Sequence, residues 1–357
     1  MYKNSELALN KLLSNMLEKD ASDLHLLAGK PPIYRVHSVL LELKDHDVLT
    51  PENIESLCSV LVPKQKKDML EKIRQTDFSY PFKENHRLRV NAYYQKSTLA
   101  VSIRMIPNKI KSLQELNLPK ALEKFTKVKQ GLVIVSGPTG HGKSTAIASI
   151  IDKINHERAE HIVTFEDPIE YVFVPDKSII SQREVLEDTV SFQSGLRSVL
   201  REDPNVVMVG EMRDFESIAA TVTVAETGHL VFATLHTNDA AQSIDRLVDV
   251  FPPHQQQQIR NQLSSILLGI VSIRLLPKIG GGLIPATELL FADSAVRNVI
   301  RDNRAYEIYN IIHSSGAKGM VSLDRYLSEL VKKGLVTFDD AQAYSLDNEI
   351  FSSLVSR

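Results

Sequence analysis

LVIVSGPTGHGKSTAIASIIDKIN, residues 132–155, decides the fold. An apolar strand-length run, LVIVS (132–136), passes directly into Gly137-Pro-Thr139-Gly140-His141-Gly142-Lys143-Ser144, and that octet opens a helical pattern. The spacing G-x-x-x-x-G-K-[ST] between a strand and a helix is that of a phosphate-binding loop. Its glycines let backbone N–H groups close around phosphate oxygens, and the helix N-terminus adds its dipole. Lys143 is expected to reach the β- and γ-phosphates of ATP, and the Ser144 hydroxyl to ligate Mg²⁺. The expected nucleotide contacts are therefore Gly137, Thr139, Gly140, His141, Gly142, Lys143, Ser144 and Thr145. The motif places no demand on His141, for which a solvent-facing side chain without a role is the plain reading.

Downstream, apolar runs of strand length alternate with helical patterns: IVTF (162–165), VVMV (206–209) and LVFATL (230–235). That alternation predicts a parallel sheet with helices on its faces, an α/β domain. From about 254 onward the pattern reads as mostly helical. Upstream, residues 4–19 place Leu9, Leu12, Leu13, Met16 and Leu17 at helical spacing. Residues 22–43 read as strands broken by a turn at 29–32, and a helix follows Thr50 and Pro51. Segments 87–95 and 98–106 read as two strands with a short polar join. The expected organisation is a small α+β domain over 1–106, a lysine- and proline-bearing linker over 107–120, and the α/β domain over 121–357.

Composition bounds the function. The 357 residues carry 43% apolar and 24% charged side chains, ordinary globular usage for about two domains. Lys+Arg 42 against Asp+Glu 44 leaves a net charge of -2, so no bulk basic excess draws the chain to nucleic acid or anionic lipid. One cysteine, Cys58, excludes an internal disulfide and a cysteine-built zinc site. No apolar run approaches the ~20 residues that cross a membrane, and the expected location is the cytoplasm.

Two strand ends carry acids. NVVMVGEMRD (205–214) ends its apolar run at Gly210-Glu211, where a carboxylate lies beside the nucleotide in open α/β folds. Glu211 there could hold Mg²⁺ through water or polarise the attacking water. IVTFEDPIEYVF (162–173) supplies Glu166 and Asp167 before Pro168. Either glutamate could take the proton of the hydrolytic water, and spacing does not rank them. HLVFATLHT (229–237) brings His229 before a strand and His236 to its end, where a histidine can hydrogen-bond a γ-phosphate.

These segments together resemble the secretion-ATPase superfamily, and within it the type IV pilus retraction motors. SDLHLLAGKPPIYRV resembles the family's N-terminal opening, GPTGHGKST its Walker A loop and EDPIEYVF its Asp box. LREDPNVVMVGEMRD resembles its Walker B, AETGHLVFATLHTNDA its His box and AVRNVIRD (295–302) its C-terminal signature. The resemblance runs in order over about residues 20–345. It implies a PAS-like N-terminal domain, a RecA-like P-loop NTPase domain and a ring hexamer, with each ATP site shared between neighbours. It also implies an inner-membrane pilus platform protein as partner, at the cytoplasmic face of that membrane. Two N-terminal-domain arginines act on the γ-phosphate in this superfamily, and the matching positions are Arg89 and Arg104. By the same resemblance Glu166 is the general base and Glu211 the Walker B glutamate. His141 stands where the family usually has serine, which leaves the backbone cradle intact.

In the C-terminal signature, Val296, Val299 and Ile300 form an inward stripe, with Arg297, Arg301 and Arg304 on another face. A solvated basic face is the default reading, a docking surface the sharper one. Rival functions are an accessory retraction paralogue and the extension or type II secretion ATPases, which typically carry a four-cysteine zinc module and a longer N-terminal region. A RecA-like nucleic-acid motor is opposed by the near-zero charge and the lack of a basic–aromatic platform.

Overall fold

The computed structural model describes residues 4–36, 39–83, 86–106 and 109–356. The chain divides into two compact units, Met1–Lys109 with Pro168–Val172, and Ile110–Asp167 with Phe173–Arg357. The first two positions of the expected linker, 107 and 108, lie outside the described residues. Of the rest of that stretch, Lys109 goes with the first unit and 110–120 with the second.

The first unit runs α1 (Ser5–Glu18), β1 (Ala21–Leu27), β2 (Ile33–Val36), β3 (Val39–Glu42), α2 (Pro51–Leu61), α3 (Lys64–Ile73), β4 (Gln75–Phe82), β5 (His86–Gln95) and β6 (Thr98–Ile106). Its strands form one antiparallel sheet in the order β3-β2-β1-β6-β5-β4. Alternate residues of β5 and β6, among them Leu88, Val90, Val101 and Ile103, are buried in one core with Leu9, Leu12, Leu13 and Met16 of α1. Each such aliphatic side chain contributes about 1.5–3 kcal/mol by leaving water. The Tyr34 hydroxyl adds a buried hydrogen bond to the Leu12 carbonyl at 2.5 Å. Helix α2 starts on the expected cap: Thr50 and Asn53 form a reciprocal capping box, with Pro51 in the first turn.

The second unit runs β7 (Gly131–Ser136), α4 (Lys143–Glu157), β8 (His161–Glu166), β9 (Ile179–Glu184), α5 (Phe192–Val199), β10 (Val206–Val209), α6 (Phe215–Glu226), β11 (Leu230–Leu235), α7 (Ala240–Asp249), α8 (Pro253–Ile266), β12 (Leu267–Pro277) and β13 (Leu283–Phe291). Helices α9 (Ser294–Arg301), α10 (Ile308–Ser314), α11 (Leu323–Lys332), α12 (Phe338–Ala343) and α13 (Asn348–Ser356) complete it. The sheet order is β13-β12-β7-β11-β10-β8-β9, with every neighbouring pair parallel except β12 and β13. This is the RecA-like α/β arrangement that the resemblance implies, and β7, β8, β10 and β11 fall where the apolar runs predict strands.

The mostly helical reading beyond 254 needs correcting. Residues 267–291 form the β12–β13 hairpin, turned at Gly280, Gly281 and Gly282, all with positive φ. LLGIVSIRLL is apolar on both faces because β12 lies between β7 and β13, and such a run has no period to separate strand from helix.

The basic face on α9 also differs from the default. Val296, Val299 and Ile300 are buried as the stripe predicts, and Arg301 is exposed. Arg297 is instead a clasp. Its guanidinium donates to the carbonyls of Ala292 at 3.0 Å, Ser264 at 2.6 Å, Ser265 at 2.7 Å and Leu267 at 2.9 Å. It thereby satisfies the carbonyls left open at the end of α8. Removing Arg297 should therefore cost the fold more than removing Arg301. Arg297→Ala should destabilise the protein by about 2–3 kcal/mol, while Arg301→Ala should change stability by less than about 0.5 kcal/mol. Urea denaturation of the two single variants checks this, and equal midpoints would remove the clasp from the account.

Glu288 on β13 is wholly buried and accepts the N–H of Ala240, the first residue of α7, at 2.8 Å. Burial pushes its carboxyl up to about 7, with Asp239 and Asp324 adding to the rise against the Ala240 N–H and Arg274. Between the unfolded value of 4.5 and about 7 the unfolded chain has released this proton and the folded chain retains it. Stability is therefore lost as pH rises through that window. Glu288→Gln should remove the loss, on the order of 3 kcal/mol above pH 7, and converge with the parent below pH 4.5. Parallel melting-temperature profiles for the two proteins would contradict it.

Candidate nucleotide site

The site is built at the carboxyl ends of the parallel strands. β7 delivers the chain at Ser136, whose hydroxyl donates to Ser272 on β12 at 2.8 Å. At Gly137, φ is +143°, and a Cβ would lie 2.4 Å from the Ile273 carbonyl, so the backbone turns there only without a side chain. Gly142, at φ +84°, caps α4 in the left-handed conformation. Thr139 and Gly140 are exposed at the tip of the loop, and Ser144 and Thr145 are half-buried in the first turn of α4. Lys143 is buried, and its Nζ donates to the carbonyls of Gly137 at 2.7 Å and Pro138 at 3.0 Å. The ammonium is thus held across the mouth of its own loop. Beside it lies a cavity of about 180 Å³, lined by Lys111, Leu116, Thr145, Leu275 and Pro285 among others.

β11 brings His236 to the same end. Its Nδ1 lies 3.4 Å from the Thr139 hydroxyl and its Nε2 3.4 Å from Glu211 Oε2. Both contacts are at the long limit of hydrogen bonding, and they join the phosphate loop to the end of β10 through one imidazole. The opposite oxygen of Glu211 is 2.6 Å from the Arg213 guanidinium. Gly210 and Met212 donate to the carbonyls of Phe165 and Thr234, and the Thr234 hydroxyl donates to the Gly210 carbonyl. The turn carrying Glu211 is tied to the strands on both sides.

Glu166 ends β8 and is 5% exposed. The Thr164 hydroxyl at 2.7 Å and the Gln182 amide at 3.1 Å both donate to its Oε1. Gln182 accepts the Phe173 N–H at 2.9 Å through its own oxygen, which orients the amide. On the preceding residue, the Phe165 ring lies where a side chain at Gly195 would have to go, 2.4 Å from an added Cβ, so α5 seats directly against β8. Thr164 and Gln182 are contributions that the sequence pattern did not indicate; a glutamine midway along a strand was the available signal.

His229 is placed elsewhere. It precedes β11 at the amino end of the sheet, where its carbonyl accepts from Gly131 and its Nδ1 lies 3.0 Å from the Val224 carbonyl and 3.1 Å from the Thr227 hydroxyl. The six residues of β11 separate it from His236, about 20 Å. Within one chain it braces the end of α6, away from the phosphate loop.

In the first unit, Arg89 and Arg104 face each other across β5 and β6. Arg104 Nε donates to Asp23 at 2.7 Å, and Arg89 Nε lies 4.0 Å from Asp77. Both side chains remain largely exposed and line a cavity of about 230 Å³ with Pro168, Ile169, Glu170 and Tyr171. The pairing with local acids that a plain surface reading predicts is present.

A nucleoside phosphate fits these residues. Gly137 keeps clear the space a Cβ would fill, the buried ammonium of Lys143 is held beside it by loop carbonyls, and the Ser144 hydroxyl in the first turn of α4 and the Glu211 carboxylate after β10 are donors suited to a hard cation. The sequence profile of the family described as "Type II/IV secretion system protein" matches residues 3–327. The chain is 42% identical, over 94% of its length and 97% of the relative's, to the "Type IV pilus retractation ATPase PilT" of Pseudomonas aeruginosa. It is 40% identical, over 90% of its length and 86% of the relative's, to a "Twitching motility protein" of Neisseria gonorrhoeae. Among solved structures it is similar to the "Pilus Retraction Motor PilT and Bound ADP", with TM-score 0.89, 46% identity, and 95% and 97% of the two chains covered.

Proposed function

This chain is an ATPase of the Type II/IV secretion system protein family, and from that premise we propose that it is the motor that retracts type IV pili. The observation that carries the reading is the phosphate loop joined through His236 to Glu211, in a chain co-linear over nearly its whole length with a retraction ATPase. Lys143 and the N–H groups at the start of α4 bind the β- and γ-phosphates of ATP. Ser144 and Glu211 would hold Mg²⁺, which would neutralise phosphate charge. Glu166 takes the proton of the attacking water, with Thr164 and Gln182 fixing its carboxylate. His236 spans Thr139 and Glu211, which supports its registering the γ-phosphate. Arg89 and Arg104, as in the superfamily, add positive charge on the γ-phosphate, exchanging Asp23 and Asp77 for it.

The working assembly in this reading is a homohexameric ring at the cytoplasmic face of the inner membrane, acting on a pilus platform protein. Among the described residues no helix is long and apolar enough to cross a membrane. Arg301, exposed on α9 and away from the Arg297 clasp, is the side chain we assign to that contact. Deletion of the gene tests the direction of work: surface pili should accumulate. Their disappearance would make the chain an extension ATPase, and unchanged pili an accessory paralogue.

A further inference from the structure

His141 occupies a position on which a phosphate-binding loop places no chemical demand, and its side chain is nevertheless engaged. β12 pairs with β7 only as far as Ser272 against Ser136, where β7 ends and the loop begins. Beyond that point β12 runs on beside the loop itself. The Ile273 carbonyl closes on Gly137, and the Leu275 side chain lies 3.5 Å from where a Cβ on Gly142 would be. On its other side Leu275 faces Pro285, which has no N–H. The Leu275 N–H has lost its strand partner on the loop side, and it donates to His141 Nδ1 at 2.9 Å. The imidazole thus continues the ladder where the backbone of β7 has turned away.

We propose that His141 is a positioning residue for nucleotide binding: by accepting the Leu275 N–H it holds the phosphate loop against β12, and protonation of its ring releases that hold. The proposal rests on the reading of residues 137–144 as the phosphate site. An N–H donor requires a lone pair on Nδ1, so the clamp exists only in the neutral ring with its proton on Nε2. An imidazolium would set one N–H against another. The two cations nearest the ring favour the neutral form. Lys143 stands on the loop side and Arg274 on β12, the Tyr344 ring is 6.0 Å away at the end of α12, and Lys111 and Glu115 share the adjoining cavity. Burial, then Arg274 and Lys143, lower the imidazole pKa from its usual value, so the clamp is closed at neutral pH. Arg274 ties the same stretch of β12 to Asn238 at 2.7 Å, two residues after His236, so β12 braces both loops of the site.

The test is ADP affinity, measured calorimetrically between about pH 5.5 and 8 for the parent, His141→Ala, His141→Asn and Lys143→Ala. Near pH 8, His141→Ala should bind ADP about fivefold to tenfold more weakly, the effect of one unmade hydrogen bond to a partly buried N–H. An asparagine oxygen can accept the Leu275 N–H and does not titrate, so His141→Asn should recover most of that loss. The ADP phosphate titrates in the same range in every protein, so the pH signature is the difference between parent and His141→Asn. The parent should lose more affinity on acidification than His141→Asn does. Parent-like binding by His141→Ala, or superimposable pH profiles for parent and His141→Asn, would overturn the proposal. Should His141→Ala fail to fold, the comparison of parent with His141→Asn still decides. Unchanged ADP binding by Lys143→Ala would instead overturn the phosphate-loop reading, whatever His141 does.

Discussion

Lys143→Ala should yield a folded protein whose ATP turnover falls by at least about 10³-fold. Phosphoryl transfer asks little covalent chemistry of the protein, so catalysis depends on placing positive charge where the γ-phosphate sheds its own. Lys143 is buried and already held by two loop carbonyls, Gly137 and Pro138, which keep its ammonium at the loop mouth before any nucleotide arrives. The side chain therefore meets its ligand without a large rearrangement. Because it is buried, alanine also opens space under the loop, and Lys143→Met separates the two effects by keeping the aliphatic stem and removing only the cation. Both variants should be inactive in phosphate release, with the methionine variant melting closer to the parent. Turnover at the parent's rate in either would mean that the loop is not the site of hydrolysis.

The parts of this site that follow local rules were legible in the sequence, and the parts that arise from packing were not. β7, β8, β10 and β11 are short apolar runs bounded by turn residues, and Lys143, Ser144, Glu166 and Glu211 stand at fixed offsets from their ends. β12 was misread because a strand buried on both faces carries no alternation, and with it went the partners of His141 and Arg274. His141 looked free because the motif concerns the phosphate side of the loop, whereas its hydrogen bond is on the opposite side, 134 residues away along the chain. Gln182 carried only the weak signal of a glutamine within a strand, because its contact with Glu166 depends on β9 lying in register beside β8, pairing Thr164 with Gln182 and Glu166 with Glu184. Arg297 shows the reverse error. Helical spacing put it on the same face as Arg301, but an arginine is long enough to turn from that face to the carbonyls at the end of α8, and only the neighbouring helix determines that it does.

Glu166→Gln should keep ADP binding and lower ATP turnover by about 10²–10⁴-fold, the usual contribution of a general base. The substitution is conservative here for a stated reason. Thr164 and Gln182 both donate to Oε1, and an amide oxygen accepts both bonds as a carboxylate oxygen does, so the strand end should hold its shape. What is lost is the capacity to take the proton of water. Glu211 is differently committed, with one oxygen against Arg213 at 2.6 Å and the other toward His236. Glu211→Gln weakens that ion pair and the link to Thr139, so its loss of turnover should come with a raised Mg²⁺ requirement, which Glu166→Gln should not show. Single-turnover hydrolysis at several Mg²⁺ concentrations separates the two. Near-full activity in Glu166→Gln together with a dead Glu211→Gln would reverse the assignment and make Glu211 the base.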